Sequence, residues 1–355
     1  MFDSIDFESL RGIGLTQALV AQMFNLATEP GDRLMRITEV QRDRLSLHDG
    51  QAEHSAQVWP TLRLGLQMQG ESLVVGDWVA ARDAGDSCWA AARVPPTNRL
   101  VRRDSSGQRQ GLVSNVDTAL LVMGAGLDFN LRRLDRYLAL VQLAGVTPLV
   151  VLSKADLCAD PDARVEAVRH HVSGSVEVLA LNGLDHHAAD ALQPWLGAGR
   201  TLVLLGSSGA GKSTLTNTLT GLPGGQSTGG VRGGDERGRH TTTARSLHRC
   251  PGGACIIDTP GLRGLQLDAD EAQLDAVFDD ISRLASACRF RDCRHEAEPG
   301  CAVRPAVPAS RLLSYHKLQR EAHRHEMTIQ ERHQQLAEWK ARGRAAREVG
   351  RSKRG

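Results

Sequence analysis

At 355 residues, with 41% hydrophobic and 24% charged positions, the chain is too long for a single small module and predicts two or three domains of ordinary globular composition. No run approaches the about 18 apolar residues that a membrane-spanning helix needs, which excludes an integral helical membrane protein. The first ten residues carry Asp3, Asp6 and Glu8 where a secretory leader carries Lys or Arg, so a cytoplasmic protein without membrane contact is expected.

The net charge of +2 is unevenly spread. From Arg311 to Gly355 there are 12 Lys/Arg against 5 Asp/Glu, a local +7 that leaves the preceding residues at −5. A basic end on a mildly acidic protein points to a polyanion such as RNA, or to a solvated helix with a basic tail.

In chain order, residues 1–32 read as an N-terminal extension: a weakly amphipathic stretch, Leu15 to Ala27, stops at Glu29, Pro30 and Gly31. Residues 33–98 change to short runs rich in Val, Leu, Ile and Trp, punctuated by Asp49-Gly50, Gly70, Gly76-Asp77 and Gly85. That spacing predicts a small OB-type β-barrel. Trp59, Trp78 and Trp89 fall here, either as core or as base-stacking platforms.

Residues 110–273 alternate strand-length apolar runs with helical segments. The runs are Ala119 to Met123, Pro148 to Leu152, Val176 to Leu181, Thr201 to Leu205 and Cys255 to Ile257, and Leu131 to Leu143 has helical spacing. This pattern predicts an α/β domain with a mostly parallel sheet covered on both faces. Residues 274–320 read as a helical module with a Cys/His window, and 321–355 as a basic helix or tail.

The strongest motif is Gly206-Ser207-Ser208-Gly209-Ala210-Gly211-Lys212-Ser213-Thr214, a G-x-x-x-x-G-K-[ST] phosphate loop directly after an apolar strand. Its backbone N–H groups converge on phosphate oxygens, Lys212 reaches the β and γ phosphates, and Ser213 ligates Mg²⁺. Asp258-Thr259-Pro260-Gly261 follows 45 residues after Ser213. There Asp258 holds Mg²⁺ through water, and the Gly261 N–H meets the γ-phosphate. Between the two lies Gly238-Arg239-His240-Thr241-Thr242-Thr243, the expected first switch, with Thr242 as the Mg²⁺ ligand and His240 as water-orienting residue or, alternatively, a packed or solvated histidine. Leu262 stands where self-sufficient relatives of Ras place a water-orienting Gln, which predicts slow intrinsic turnover.

Ser153-Lys154-Ala155-Asp156 resembles the N/T-K-x-D guanine motif, in which the Asp carboxylate accepts from guanine N1–H and the 2-amino group while the Lys stem covers the base. Adenine lacks that donor pair, so GTP and GDP are the expected nucleotides. Ser153 replaces the Asn whose amide braces the phosphate loop, which predicts weaker affinity rather than altered base choice. The motif precedes the phosphate loop, so the chain reads as circularly permuted. Ala180 to Gly183 weakly resembles the S-A-x-x-G base loop and places Ala180 at the guanine edge. Cys288-x4-Cys293-x-His295-x5-Cys301 supplies four ligands within 14 residues, the set for one structural Zn²⁺ with no open position.

A small barrel, a permuted GTPase with G-R-H-T-T-T and D-T-P-G, and C-x4-C-x-H-x5-C occur in this order in the ribosome small-subunit-dependent GTPase A family of bacteria, which the chain resembles over roughly residues 33–320. The segments Asn115 to Asp117 and Asp128 to Leu134 are similar to that family as well. The resemblance implies a late assembly factor that binds the small ribosomal subunit and its rRNA, hydrolyses GTP to GDP and phosphate when docked, and then leaves; a monomer is expected. The rival readings are a noncatalytic GTP-dependent RNA-binding scaffold and a P-loop kinase acting on a small metabolite. Retained Lys212, Ser213 and Asp258 weigh against the scaffold. The Cys/His window and basic tail would have no task in the kinase.

Overall fold

A computed structural model describes residues 5–24, 26–42, 44–85, 87–104, 106–172, 176–185, 187–221, 245–261 and 265–326. The chain divides into two compact units, Met1–Gln266 and Leu267–Gly355. No described helix is long and apolar enough to cross a membrane.

Unit 1 opens with α1 (Phe7–Arg11) and α2 (Gln17–Met23), which bury Leu10, Leu19 and Met23, with Ile13 and Leu15 buried between them. Strands β1 (Arg33–Gln41), β2 (Arg44–His48) and β3 (Glu53–Val58), helix α3 (Pro60–Met68), and strands β4 (Trp78–Ala84) and β5 (Ser87–Arg93) follow. The five strands close in the order β1-β2-β3-β5-β4 with β4 returning to β1; β3 and β5 are parallel and the other pairs antiparallel. Met35, Ile37, Leu45, Leu47, Val79 and Ala90 fill the barrel, as alternate inward positions of a small closed sheet must. Trp78 is fully buried, a core residue, whereas Trp59 and Trp89 remain half-buried as an edge-to-face pair with centroids 5.5 Å apart.

A hairpin of β6 (Arg99–Arg103) and β7 (Arg109–Ser114) leads into the α/β part: β8 (Thr118–Gly124), α4 (Leu131–Leu143), β9 (Thr147–Ser153), α5 (Pro161–His171), β10 (Glu177–Ala180), α6 (His187–Leu192), β11 (Thr201–Gly206), α7 (Lys212–Thr220), β12 (Ser246–Arg249) and β13 (Cys255–Asp258). The sheet order is β10-β9-β8-β11-β13-β12, parallel from β10 through β13, with β12 antiparallel at its end. All residues of β8, β11 and β13 are buried, as strands covered by helices on both faces require. Asn130 starts α4 by accepting the Arg133 N–H on its side chain, satisfying a donor the helix itself leaves open.

One pairing, Glu39 with Ser246, joins β1 of the barrel to β12, so barrel and α/β sheet share one ladder. Arg36, fully buried on β1, reinforces this junction. Its guanidinium donates to the Ile13 carbonyl at 2.5 Å, to Thr201 Oγ1 at 2.9 Å and to the Asn115 carbonyl at 3.1 Å. A single cation thus ties the N-terminal helices, the barrel and the first residue of β11, and its burial is sustained by those acceptors.

Unit 2 holds α8 (Glu271–Val277), α9 (Asp279–Ala285) and α10 (Ala309–Glu326). Arg311 Nε donates to Asp280 Oδ2 at 2.7 Å and its second nitrogen to Oδ1 at 2.8 Å, a fork-to-fork pair. Tyr315 packs edge-on against Phe278 and donates its hydroxyl to Asp275.

Candidate nucleotide site and metal centre

Parallel strands bring their C-terminal ends to one edge of the sheet, and the loops leaving β8, β9, β10, β11 and β13 meet there. The chain leaves β11 at Gly206, turns through Gly211 and enters α7 at Lys212, which gathers the loop amides at a helix N-terminus. Lys212 is only 6% exposed. Its ammonium donates to the Gly206 carbonyl at 3.1 Å and the Ser207 carbonyl at 2.8 Å. Burial pulls this ammonium below its usual range, and the charges of Asp258 and Asp128 oppose that pull.

Asp258, 1% exposed at the end of β13, lies beside the loop, and Ser213 donates its hydroxyl to Asp258 Oδ2 at 3.4 Å. Thr259 donates to the Leu204 carbonyl at 2.6 Å, which pins the chain beyond β13 to β11. Gly261 then runs against the phosphate loop so closely that a Cβ there would stand 2.5 Å from the Ser208 nitrogen. Only glycine fits at that approach.

The segment after β9 touches the same loop. The Ser153 hydroxyl donates to the Ala210 carbonyl at 2.6 Å and the Lys154 ammonium to the Gly209 carbonyl at 2.8 Å. Ser153, standing where an Asn would brace the loop through its amide, thus meets a loop carbonyl through its hydroxyl from the buried end of a rigid strand. Ala155 and the exposed Asp156 form the turn that follows. Ala180 pairs with Leu152, and the Ala155 N–H donates to the Leu181 carbonyl at 3.3 Å, so β10 delivers Ala180 beside the Ser153–Asp156 segment. Thr218 of α7 donates to the Gly183 carbonyl at 2.6 Å. Gly206 to Thr214, Ser153 to Asp156, Ala180, Asp258 and Gly261 are thus assembled at one edge, while His240, Thr242 and Leu262 lie outside the described residues.

Sequence reasoning gave no role to Asp128. Its carboxylate, in the loop between β8 and α4, accepts the Ser207 hydroxyl at 2.8 Å on each oxygen. The only sequence signal was that its segment resembled the family.

In unit 2, Cys288, Cys293, His295 and Cys301 each offer one ligand atom, and these four atoms all lie within 4.8 Å of one another. His295 Nδ1 is 3.6 Å from Cys288 Sγ and 3.5 Å from Cys301 Sγ. A tetrahedral ion with bonds of about 2.0–2.3 Å spaces its ligands by just under 4 Å, so the set fits zinc with small adjustments. Backbone N–H groups of Ala302 and Arg304 donate to the Cys288 and Cys301 sulfurs, as anionic ligands require.

The chain is similar to a family of known proteins. The model of the family described as RsgA GTPase matches residues 93–268. A small ribosomal subunit biogenesis GTPase RsgA of Xylella fastidiosa (strain 9a5c) is 49% identical over 259 residues, covering 71% of this chain and 74% of that protein. A small ribosomal subunit biogenesis GTPase RsgA 2 of Vibrio vulnificus (strain CMCP6) is 45% identical over 257 residues, covering 70% and 72%. Among solved structures, YjeQ from Thermotoga maritima shares the fold with a TM-score of 0.61 at 24% identity, covering 82% of this chain and 98% of that one. YloQ, described as a circularly permuted GTPase, does so at 0.58 and 23%, covering 84% and 97%. The permuted order read from the motifs thus has a counterpart in solved folds, and nearly half of the aligned residues are shared with the Xylella protein over most of its length: the chain belongs to the RsgA GTPase family.

Proposed function

We propose that the chain hydrolyses GTP to GDP and phosphate in the biogenesis of the small ribosomal subunit. The observation that carries this reading is the pair of bonds from Ser153 and Lys154 to the Ala210 and Gly209 carbonyls, which set a guanine-type segment directly on a phosphate loop. The relatives named as small-subunit biogenesis GTPases supply the setting.

In this reading Gly206 to Thr214 cradle the phosphates, with the Lys212 ammonium, placed by its loop carbonyls, facing the β and γ oxygens. Asp156 accepts the two guanine donors, Lys154 covers the base and Ala180 borders it. Ser213 and Asp258 hold Mg²⁺, with Thr242 from the first switch; when bound, this ion offsets charge on the phosphate oxygens. The Gly261 amide meets the γ-phosphate, and His240 orients water. Cys288, Cys293, His295 and Cys301 hold one structural Zn²⁺, which stabilises a segment without regular secondary structure.

The finer partition follows the sequence: an extension at 1–32, an OB-type barrel at 33–98, the permuted GTPase domain at 110–273, the zinc module at 274–320 and a basic tail at 321–355. Barrel, zinc module and tail grip rRNA of the late, immature small subunit, which stimulates turnover; the protein acts as a cytoplasmic monomer. The placement of Lys212, Ser213 and Asp258 around one loop supports hydrolysis over a noncatalytic scaffold. Co-sedimentation with purified small and large subunits tests the partner, with GDP or a nonhydrolysable GTP analogue. Binding to small subunits that depends on the nucleotide is expected; equal binding to both subunits in both states contradicts it.

A further inference from the structure

Lys212 in the phosphate loop is held by the carbonyls of Gly206 and Ser207, so the conformation of that first turn decides where the ammonium stands. The side chain that fixes the turn comes from a different loop. Ser207 Oγ donates to both oxygens of Asp128 at 2.8 Å. Asp128 is itself anchored twice more, by the Gly124 N–H on Oδ2 at 3.2 Å and by Arg133 on Oδ1 at 2.5 Å, with Arg133 also donating to the Asp128 carbonyl. Gly124 permits this closeness, since a Cβ there would lie 3.2 Å from Asp128 Cβ.

The placement of Arg133 is a second, independent sign. It stands in the first turn of α4, a turn that contains no acidic residue, although the positive end of a helix dipole disfavours a cation. Asp128 is the anion that compensates it. Asp128 also acts with Asp258 to offset the effect of burial on Lys212.

We propose that Asp128, anchored by Arg133, is a positioning residue for nucleotide binding: through the Ser207 hydroxyl it sets the first turn of the phosphate loop and so the place of the Lys212 ammonium. The proposal rests on the GTPase reading and adds to it a residue from outside its motifs. A hydrogen bond to a charged group contributes about 1.5–3 kcal/mol, and partial transmission to the loop corresponds to about tenfold in nucleotide affinity.

The test is titration of the full chain with fluorescent GDP and GTP, together with KM and kcat for GTP, in Ser207→Ala, Asp128→Ala, the double variant and Ser207→Thr. Thermal unfolding without nucleotide checks the fold of each. Ser207→Ala and Asp128→Ala are each expected to raise Kd and KM about tenfold while kcat changes less. The double variant should be no worse than the larger single effect, because both remove one contact. Ser207→Thr, which restores the hydroxyl, should return Kd toward the wild-type value. A folded Ser207→Ala chain with wild-type Kd, a double variant whose effects multiply, or no rescue by Thr overturns the proposal. If Asp128→Ala does not fold, the Ala and Thr variants at Ser207 decide alone. Wild type failing to bind guanine nucleotides would instead count against the GTPase reading.

Discussion

The phosphate loop hangs from β11, whose six residues are all buried between helices and flanking parallel strands, whereas the Cys288–Cys301 segment contains no helix or strand and buries only His295 among its 14 residues. Apolar burial on two faces builds the first region, and its polar groups are tied by the loops after β8 and β9 and by Asp258 at the end of β13. The second has too little apolar surface to hold itself. One region is organised by the chain's own core; the other carries a ligand set that fits a metal ion.

The sharpest way to break this comparison is to remove the metal. Structural zinc in small modules is worth about 10–16 kcal/mol in apparent binding free energy. Zinc-selective chelation in excess Mg²⁺, or Cys293→Ala, is therefore expected to abolish amide-exchange protection around residues 288–301 while guanine nucleotide affinity stays within about twofold. Loss of nucleotide binding on chelation would show that the two regions are not independently organised. The next largest effect concerns Lys212, whose substitution by Ala should lower GTP turnover by at least about two orders of magnitude, measured as phosphate release, since removing one electrostatic stabiliser commonly costs that much.

What was legible in the sequence follows the same division. Contiguous motifs, Gly206–Thr214 and Cys288–Cys301, carry their chemistry in their spacing, and the apolar runs at 119–123, 148–152 and 201–205 lie within β8, β9 and β11 because buried parallel strands leave an uninterrupted pattern. Contacts across long separations left no such mark. Arg36 looks like an ordinary polar residue in an alternating strand, yet it is the buried tie among Ile13, Asn115 and Thr201. Asp128 is 79 residues from Ser207. Ser153 read as a defect because the amide it replaces was the known brace, and its hydroxyl reach depended on how near β9 brings it to Ala210.

Smaller effects sharpen the comparison inside unit 1. Asp156→Asn should reduce the preference for GTP over ATP about a hundredfold, because an amide cannot accept from both guanine donors without presenting its own N–H to one of them. Competition binding with the two nucleotides reads this directly. Ser153→Ala removes one buried hydrogen bond worth about 1 kcal/mol, so nucleotide Kd should rise about fivefold with base preference unchanged. A wild-type Kd in this variant would mean that the Ala210 contact does not brace the loop.

The central claim is that the sheet edge built by β9, β11 and β13 turns over GTP and that the small ribosomal subunit is its partner. It is tested most directly by phosphate release from GTP and from ATP, each with and without purified small subunits, using the Lys212→Ala chain as the blank. The account predicts slow GTP turnover by the free chain, a clear rise with small subunits and none with ATP. Equal turnover of the two nucleotides, or GTP turnover that small subunits leave unchanged, would contradict it.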